Sequence, residues 1–220
     1  MKLTHQPLVY LYNNVLDDDI QKCINNFILL VIEMKEKYKT DSLWITDQKI
    51  GGIGAYAMPP DPVMNPFPGG IERSLYRPLQ YARTHIDICD IRMEARYVVQ
   101  NCGMHLECVC RVLLSNYKVL ANLRFNNTTF GKSIQIIKGL NVIESNIIDA
   151  LNSFSKVYNM SKHEVNQDEN RGRLFNAYEA ITAYYSARVL GVQLLRKINF
   201  PYSNNIFEIN NKKNTLYGDL

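Results

Sequence analysis

Asn159 and His163 stand four residues apart in the run Tyr158-Asn159-Met160-Ser161-Lys162-His163, with Lys162 beside the histidine. On a helix that spacing puts amide and imidazole on one face, a turn apart. Together these groups suit a phosphodiester. The imidazole moves a proton near neutral pH, while the cation and the amide hold phosphate oxygens, and no metal is needed. Arg171 and Arg173 follow across a short polar connector, from which they can return to the same surface. A plainer reading stands beside this one: Lys and His in a last turn interact favourably with the helix dipole, and an Asn there bonds locally.

Other residues invite chemistry less strongly. Cys102, His105 and Cys108 fall at i, i+3 and i+6 with Cys110 nearby, yet three ligands along one helical stripe do not surround a zinc ion unless another segment closes over it. Buried, reduced thiols account for them better, and no metal or other cofactor is expected. His105 and Glu107 point to different faces, which leaves Glu107 free to pair with an arginine of the bundle. Gly51, Gly52 and Gly54 lack the Lys-Ser/Thr ending of a phosphate loop. Tyr81, Tyr97, Tyr178, Tyr184 and Tyr185 are more readily core or dimer packing than base-stacking platforms. Arg73, Arg77, Arg83, Arg92 and Arg96 form rows that read as a solvated face paired to Asp87, Asp90 or Glu94, with an RNA-facing groove as the alternative.

The elements that must position these groups are helical. Ile20, Ile24, Phe27, Val31, Met34 and Tyr38 repeat at 4-3-4-3-4 spacing behind Asp17, Asp18 and Asp19, which predicts a capped helix ending near Thr40 and, with Ile28, Leu29, Leu30 and Ile32, central in a bundle. Residues 44–70 hold a glycine cluster and five prolines, an irregular insertion with room for a hairpin over residues 43–57. Helical periodicity resumes with Pro78 near its start and runs to about Lys118 as one helix, or two collinear ones flawed at Asn101-Cys102-Gly103. Residues 122–129 read as a turn, and Gly139 separates a short helix from the one ending in His163. The last long helix opens on Asn176 with Glu179 three residues on, a capping-box pattern, and Pro201 ends it. Residues 199–220 read as a loosely held tail. The expectation is one all-α domain over residues 1–220, an antiparallel bundle of about five long helices with the insertion after the first.

Around the Asn159–His163 segment the chain resembles the HEPN superfamily, all-helical domains that often carry Arg-polar-x-x-x-His at this place. Supporting context comes from His105-Leu106-Glu107, from Arg173-Leu174-Phe175-Asn176-Ala177-Tyr178-Glu179-Ala180, and from Arg188-Val189-Leu190-Gly191. The resemblance implies a homodimer whose two motif copies face each other and form a metal-independent endoribonuclease site. Its reaction is attack of a ribose 2′-hydroxyl on the adjacent phosphate, leaving a cyclic phosphate end. Asn159 then matches the polar position and His163 the catalytic histidine. Tyr158 occupies the arginine position, and a phenol offers no permanent forked charge. Lys162, Arg171 or Arg173 must substitute, or the site binds RNA without cleaving it.

Composition sets the outer limits. The 220 residues carry 25 Lys and Arg against 21 Asp and Glu, and 46% are hydrophobic, which excludes a disordered chain, collagen and a small disulfide scaffold. The longest aliphatic run, residues 27–32, is far below the ~18 apolar residues of a membrane span, so the expectation is a cytoplasmic protein without membrane contact. Two further function classes fit: a non-enzymatic interaction module, including one partnering a nucleotidyltransferase-type protein, and a small-molecule or nucleotide-binding bundle in which residues 44–70 cover a pocket.

Overall fold

The computed structural model describes residues 2–33, 36–51, 70–87, 89–117, 128–163 and 174–200. Among the described residues the chain forms eight helices and no strand: α1 Gln6–Asn14, α2 Asp18–Ile32, α3 Glu36–Ile50, α4 Gly70–Asp87, α5 Ile91–Asn116, α6 Phe130–Leu140, α7 Ser145–His163 and α8 Ala177–Lys197. The all-α class is as expected. The bundle of about five long helices gives way to eight.

Local chemistry sets the helix starts. Asp17, Asp90, Thr129 and Asn176 cap α2, α5, α6 and α8, each side chain accepting from a backbone N–H of the first turn. Each such cap is worth about 1 kcal/mol. Asn176 and Glu179 form the full capping box that their spacing predicts. Asn141 ends α6 in the left-handed region, a conformation asparagine tolerates.

Three expectations are corrected here. The apolar stripe of Ile20, Ile24, Phe27 and Val31 is buried, but Leu29 and Ile32 are exposed, so α2 flanks the bundle and does not run through it. Residues 44–50, expected at the head of the insertion and within the hairpin, are helical in α3, while residues 52–69 lie outside the described residues. The long second helix is interrupted before Asp90, which opens α5, and not at Gly103; α4 begins eight residues ahead of Pro78, which sits inside it. Gly103 stays helical because α5 is held on several sides.

The centre is the pair α5 and α8. α5 packs on α4, α6, α7 and α8, and α8 also meets α1, α2, α3, α4 and α7. α8 is buried nearly all round, from Ala177 through Leu195, as a helix without a solvent face must be. Small residues permit the close approach: a Cβ on Gly191 would meet His105 Nε2 at 2.4 Å, and one on Gly103 would meet the Tyr158 ring at 2.2 Å. No helix among the described residues is long and apolar enough to cross a membrane. Of the 199–220 tail, residues 201–220 lie outside the described residues.

Candidate functional site

α7 packs against α1, α5 and α6 through Ile148, Leu151, Phe154 and Val157, leaving its last turn at the surface. Asn159, Lys162 and His163 are exposed there, so the three polar members of the motif share an open helix end. Tyr158 faces the other way. It is buried against Gly103, and its hydroxyl donates to Glu107 Oε2 at 3.3 Å. Burial and the Glu107 carboxylate push the phenol up to about 12, so it stays neutral. A phosphate contact for Tyr158 is therefore not what its packing provides. Lys162 Nζ lies 3.9 Å from the centroid of the same ring, a cation–π contact that holds the ammonium over the end of the helix. Arg171 and Arg173 lie outside the described residues.

A cation that the motif does not contain reaches this helix end from α5. Arg96 Nε donates to the Ser161 carbonyl at 2.5 Å, and Gln100 Nε2 donates to the same oxygen at 2.6 Å. Ser161 Oγ in turn donates to the Tyr158 carbonyl at 2.7 Å. Carbonyls of a last helical turn have no partner within the helix, and Arg96 and Gln100 satisfy that of Ser161. The guanidinium of Arg96 is thereby fixed two residues from His163. The expectation that Arg96 belongs to a row paired with Asp87, Asp90 or Glu94 is corrected; Arg92 does pair with Asp90, at 2.8 Å.

Glu107 finds its arginine as expected, Arg111 on the next turn, at 2.7 Å. Cys102, Cys108 and Cys110 are buried, and burial pushes the Cys108 thiol up to about 11 and the other two higher still. Tyr184 and Tyr185 are core residues, whereas Tyr81 and Tyr97 are exposed on α4 and α5. Tyr97 stacks on His85, ring centroids 5.7 Å apart.

A second polar cluster among the described residues lies elsewhere, in the core. Asp47, fully buried on α3, receives Arg83 Nη1 from α4 on Oδ2 and Arg188 Nε from α8 on Oδ1 at 3.1 Å. The Tyr184 hydroxyl lies 3.1 and 3.0 Å from its two oxygens. Arg188 Nη2 also donates to the carbonyls of Asp47 and Gly51, at 3.1 and 2.9 Å. Gly51 adopts φ 75°, a left-handed conformation that suits glycine and aims its carbonyl inward. Burial would lower the Arg83 pKa, but the Asp47 carboxylate holds it above its ordinary value. The expectation of a solvated Arg83 is thus overturned: three helices converge on one carboxylate, and the guanidinium groups follow it into the core. One signal was present in the sequence. Arg188 is the single charged residue between Glu179 and Arg196, and a buried arginine requires a buried acceptor.

His105 completes this region. Its Nδ1–H donates to the Leu75 carbonyl at 2.7 Å, which fixes the tautomer, and burial, with Arg188 nearby, pulls its pKa down to about 4. It is a neutral structural imidazole. No family model, curated protein or solved structure matches the chain.

Proposed function

We propose that the chain is an HEPN-like helical protein that acts on or near RNA through the exposed end of α7. The observation that carries this reading is the company His163 keeps: Asn159 and Lys162 exposed with it, and the Arg96 guanidinium drawn to the Ser161 carbonyl two residues away. An imidazole, an amide and two cations are what holding and cleaving a phosphodiester require. With Tyr158 turned into the core, forked positive charge comes from Arg96. Cleavage then follows the metal-independent route: His163 accepts the ribose 2′-hydroxyl proton, the oxygen attacks the adjacent phosphate, and the 5′-oxygen leaves with a proton, giving a 2′,3′-cyclic end. A homodimer pairing two copies of this helix end supplies the second acid–base group.

The test is incubation of the purified protein with single-stranded RNA, with and without chelator. Cleavage should survive chelator and disappear in His163→Ala. Cleavage that persists in His163→Ala removes the site; RNA binding without cleavage identifies a non-cleaving relative.

A second reading, a helical interaction module, rests on a different observation. Tyr81, Met93, Tyr97 and Met104 are all exposed on α4 and α5, with Met93 and Tyr97 one turn apart. In that case no cleavage appears, and association with a partner protein weakens on Tyr97→Ala.

A further inference from the structure

Among the described residues, the Asp47 node sets two cations against one anion. Two guanidinium groups, on Arg83 and Arg188, face one carboxylate, and their residues are 2% and 1% exposed. Nothing else described around the node compensates: the neighbouring groups are the phenols of Tyr184 and Tyr185 and the imidazole of His105, all neutral. A buried charge without a counter-charge is strongly destabilising, so the described part of the node favours a second anion.

The hydrogen bonds show where it would sit. Both oxygens of Asp47 are occupied. Arg188 spends Nε on the Asp47 carboxylate and Nη2 on two backbone carbonyls. Arg83 uses Nη1 on Asp47 and also hydrogen-bonds Tyr184. Its Nε–H is buried and has no partner. A guanidinium presents Nε–H and the adjacent Nη–H as a planar fork, the geometry that matches two oxygens of a carboxylate or phosphate.

We infer that the Nε edge of Arg83 is a binding site for a small oxyanion, a phosphate or carboxylate group, whose negative charge completes the Asp47–Arg188 node. The site is distinct from the end of α7 and independent of any action on RNA. Bound there, the anion ties α4 to α3 and α8 and so stabilises the native state in proportion to its occupancy.

The experiment uses the full chain dialysed into chloride buffer and titrated at fixed ionic strength with inorganic phosphate in one arm and acetate in the other. Two quantities are read: the arginine Nε–H resonances in a proton–nitrogen correlation spectrum, and the melting temperature. A saturable displacement of one resonance with one-to-one stoichiometry is expected, together with a rise in Tm of about 5–10 °C at a hundredfold excess over Kd. A response to phosphate alone marks a phosphoryl ligand, and a response to acetate a carboxylate; either supports the site. Arg83→Lys, which keeps the charge but loses the fork, should weaken binding at least about tenfold. The inference is overturned if no arginine resonance moves in the wild-type protein, an outcome that also follows if a carboxylate of the chain itself already fills the position. It is equally overturned if Arg83→Lys responds as the wild type does.

Discussion

Gly191 on α8 lies directly against the His105 imidazole of α5, so close that any Cβ would fall 2.4 Å from Nε2. His105 does not yield easily, because its other nitrogen is held by the Leu75 carbonyl. In an exposed helix, Gly to Ala gains about 1 kcal/mol. Here the sign reverses. Gly191→Ala should lower stability by about 1–3 kcal/mol through overpacking, measured as a reduced urea midpoint with unchanged slope.

Gly103 and Tyr158 make a similar close contact between α5 and α7. Gly103→Ala should cost about 1–3 kcal/mol and displace the end of α7 with it, so RNA association should fall alongside stability. Tyr158→Phe removes only the bond to Glu107 and should cost about 1 kcal/mol. RNA association that is equal in wild type and Gly103→Ala would detach the helix end from that contact.

Asp47→Ala should be the most damaging single change in the molecule. It leaves two guanidinium groups enclosed without their carboxylate, and breaking such a pair costs about 3–5 kcal/mol. Arg188→Met is milder in charge but abandons the Asp47 and Gly51 carbonyls. Denaturant titrations should rank Asp47→Ala below Arg188→Met, and both below the wild type.

Acid should destabilise the fold in two stages. His105 is held at about 4 against an ordinary 6.5, so between those values the unfolded chain takes up a proton that the native one refuses. Stability is therefore complete above about pH 6.5 and falls as pH drops toward 4, by on the order of 3 kcal/mol. Burial would raise the Glu179 carboxyl, but hydrogen bonds from His5, Thr4 and Asn176 outweigh it and hold the group at about 2. Its contribution is present above its ordinary 4.5 and is lost as pH falls through that lower window. In His105→Gln the first stage should vanish and the second remain, as read from urea midpoints across the pH range.

Arg96→Ala tests the cation supplied by α5. RNA association should weaken, and the slope of log affinity against log salt should become shallower by about one phosphate contact. An unchanged salt slope would confine Arg96 to capping α7.

Much of the helical pattern is legible from spacing. The buried stripe of α2, the capping box of α8 and the partnership of Glu107 with Arg111 all follow from local rules about periodicity and reach. Long-range polar partners are not local. Asp47 and Arg188 are 141 residues apart, and only the fold brings them within 3.1 Å. The same holds for α3, whose residues 44–50 adjoin a glycine- and proline-rich stretch and whose Asp47 faces the core. A solvated row was the natural reading of Arg83 because i, i+4 spacing among Arg, Asp and Glu describes neighbours on one helix and is silent about a carboxylate arriving from another. At the candidate site, the exposure of Asn159, Lys162 and His163 follows from the apolar residues opposite them on α7. The guanidinium of Arg96 does not, since it comes from a helix 65 residues away.

Glu179 links the two ends of the described chain. One of its oxygens accepts the Asn176 N–H at 3.0 Å, and the other accepts from the Thr4 N–H at 2.8 Å, the Thr4 hydroxyl at 2.6 Å and the His5 ring at 2.8 Å. A nascent polypeptide leaving the ribosome makes residues 4 and 5 long before it makes residue 179. The first turn of α1 must therefore wait until residue 179 has been made before its clasp exists, and α5 waits with it for the helix that fills its central face. The clasp between α1 and α8 thus closes only after α2 to α7 have been synthesised.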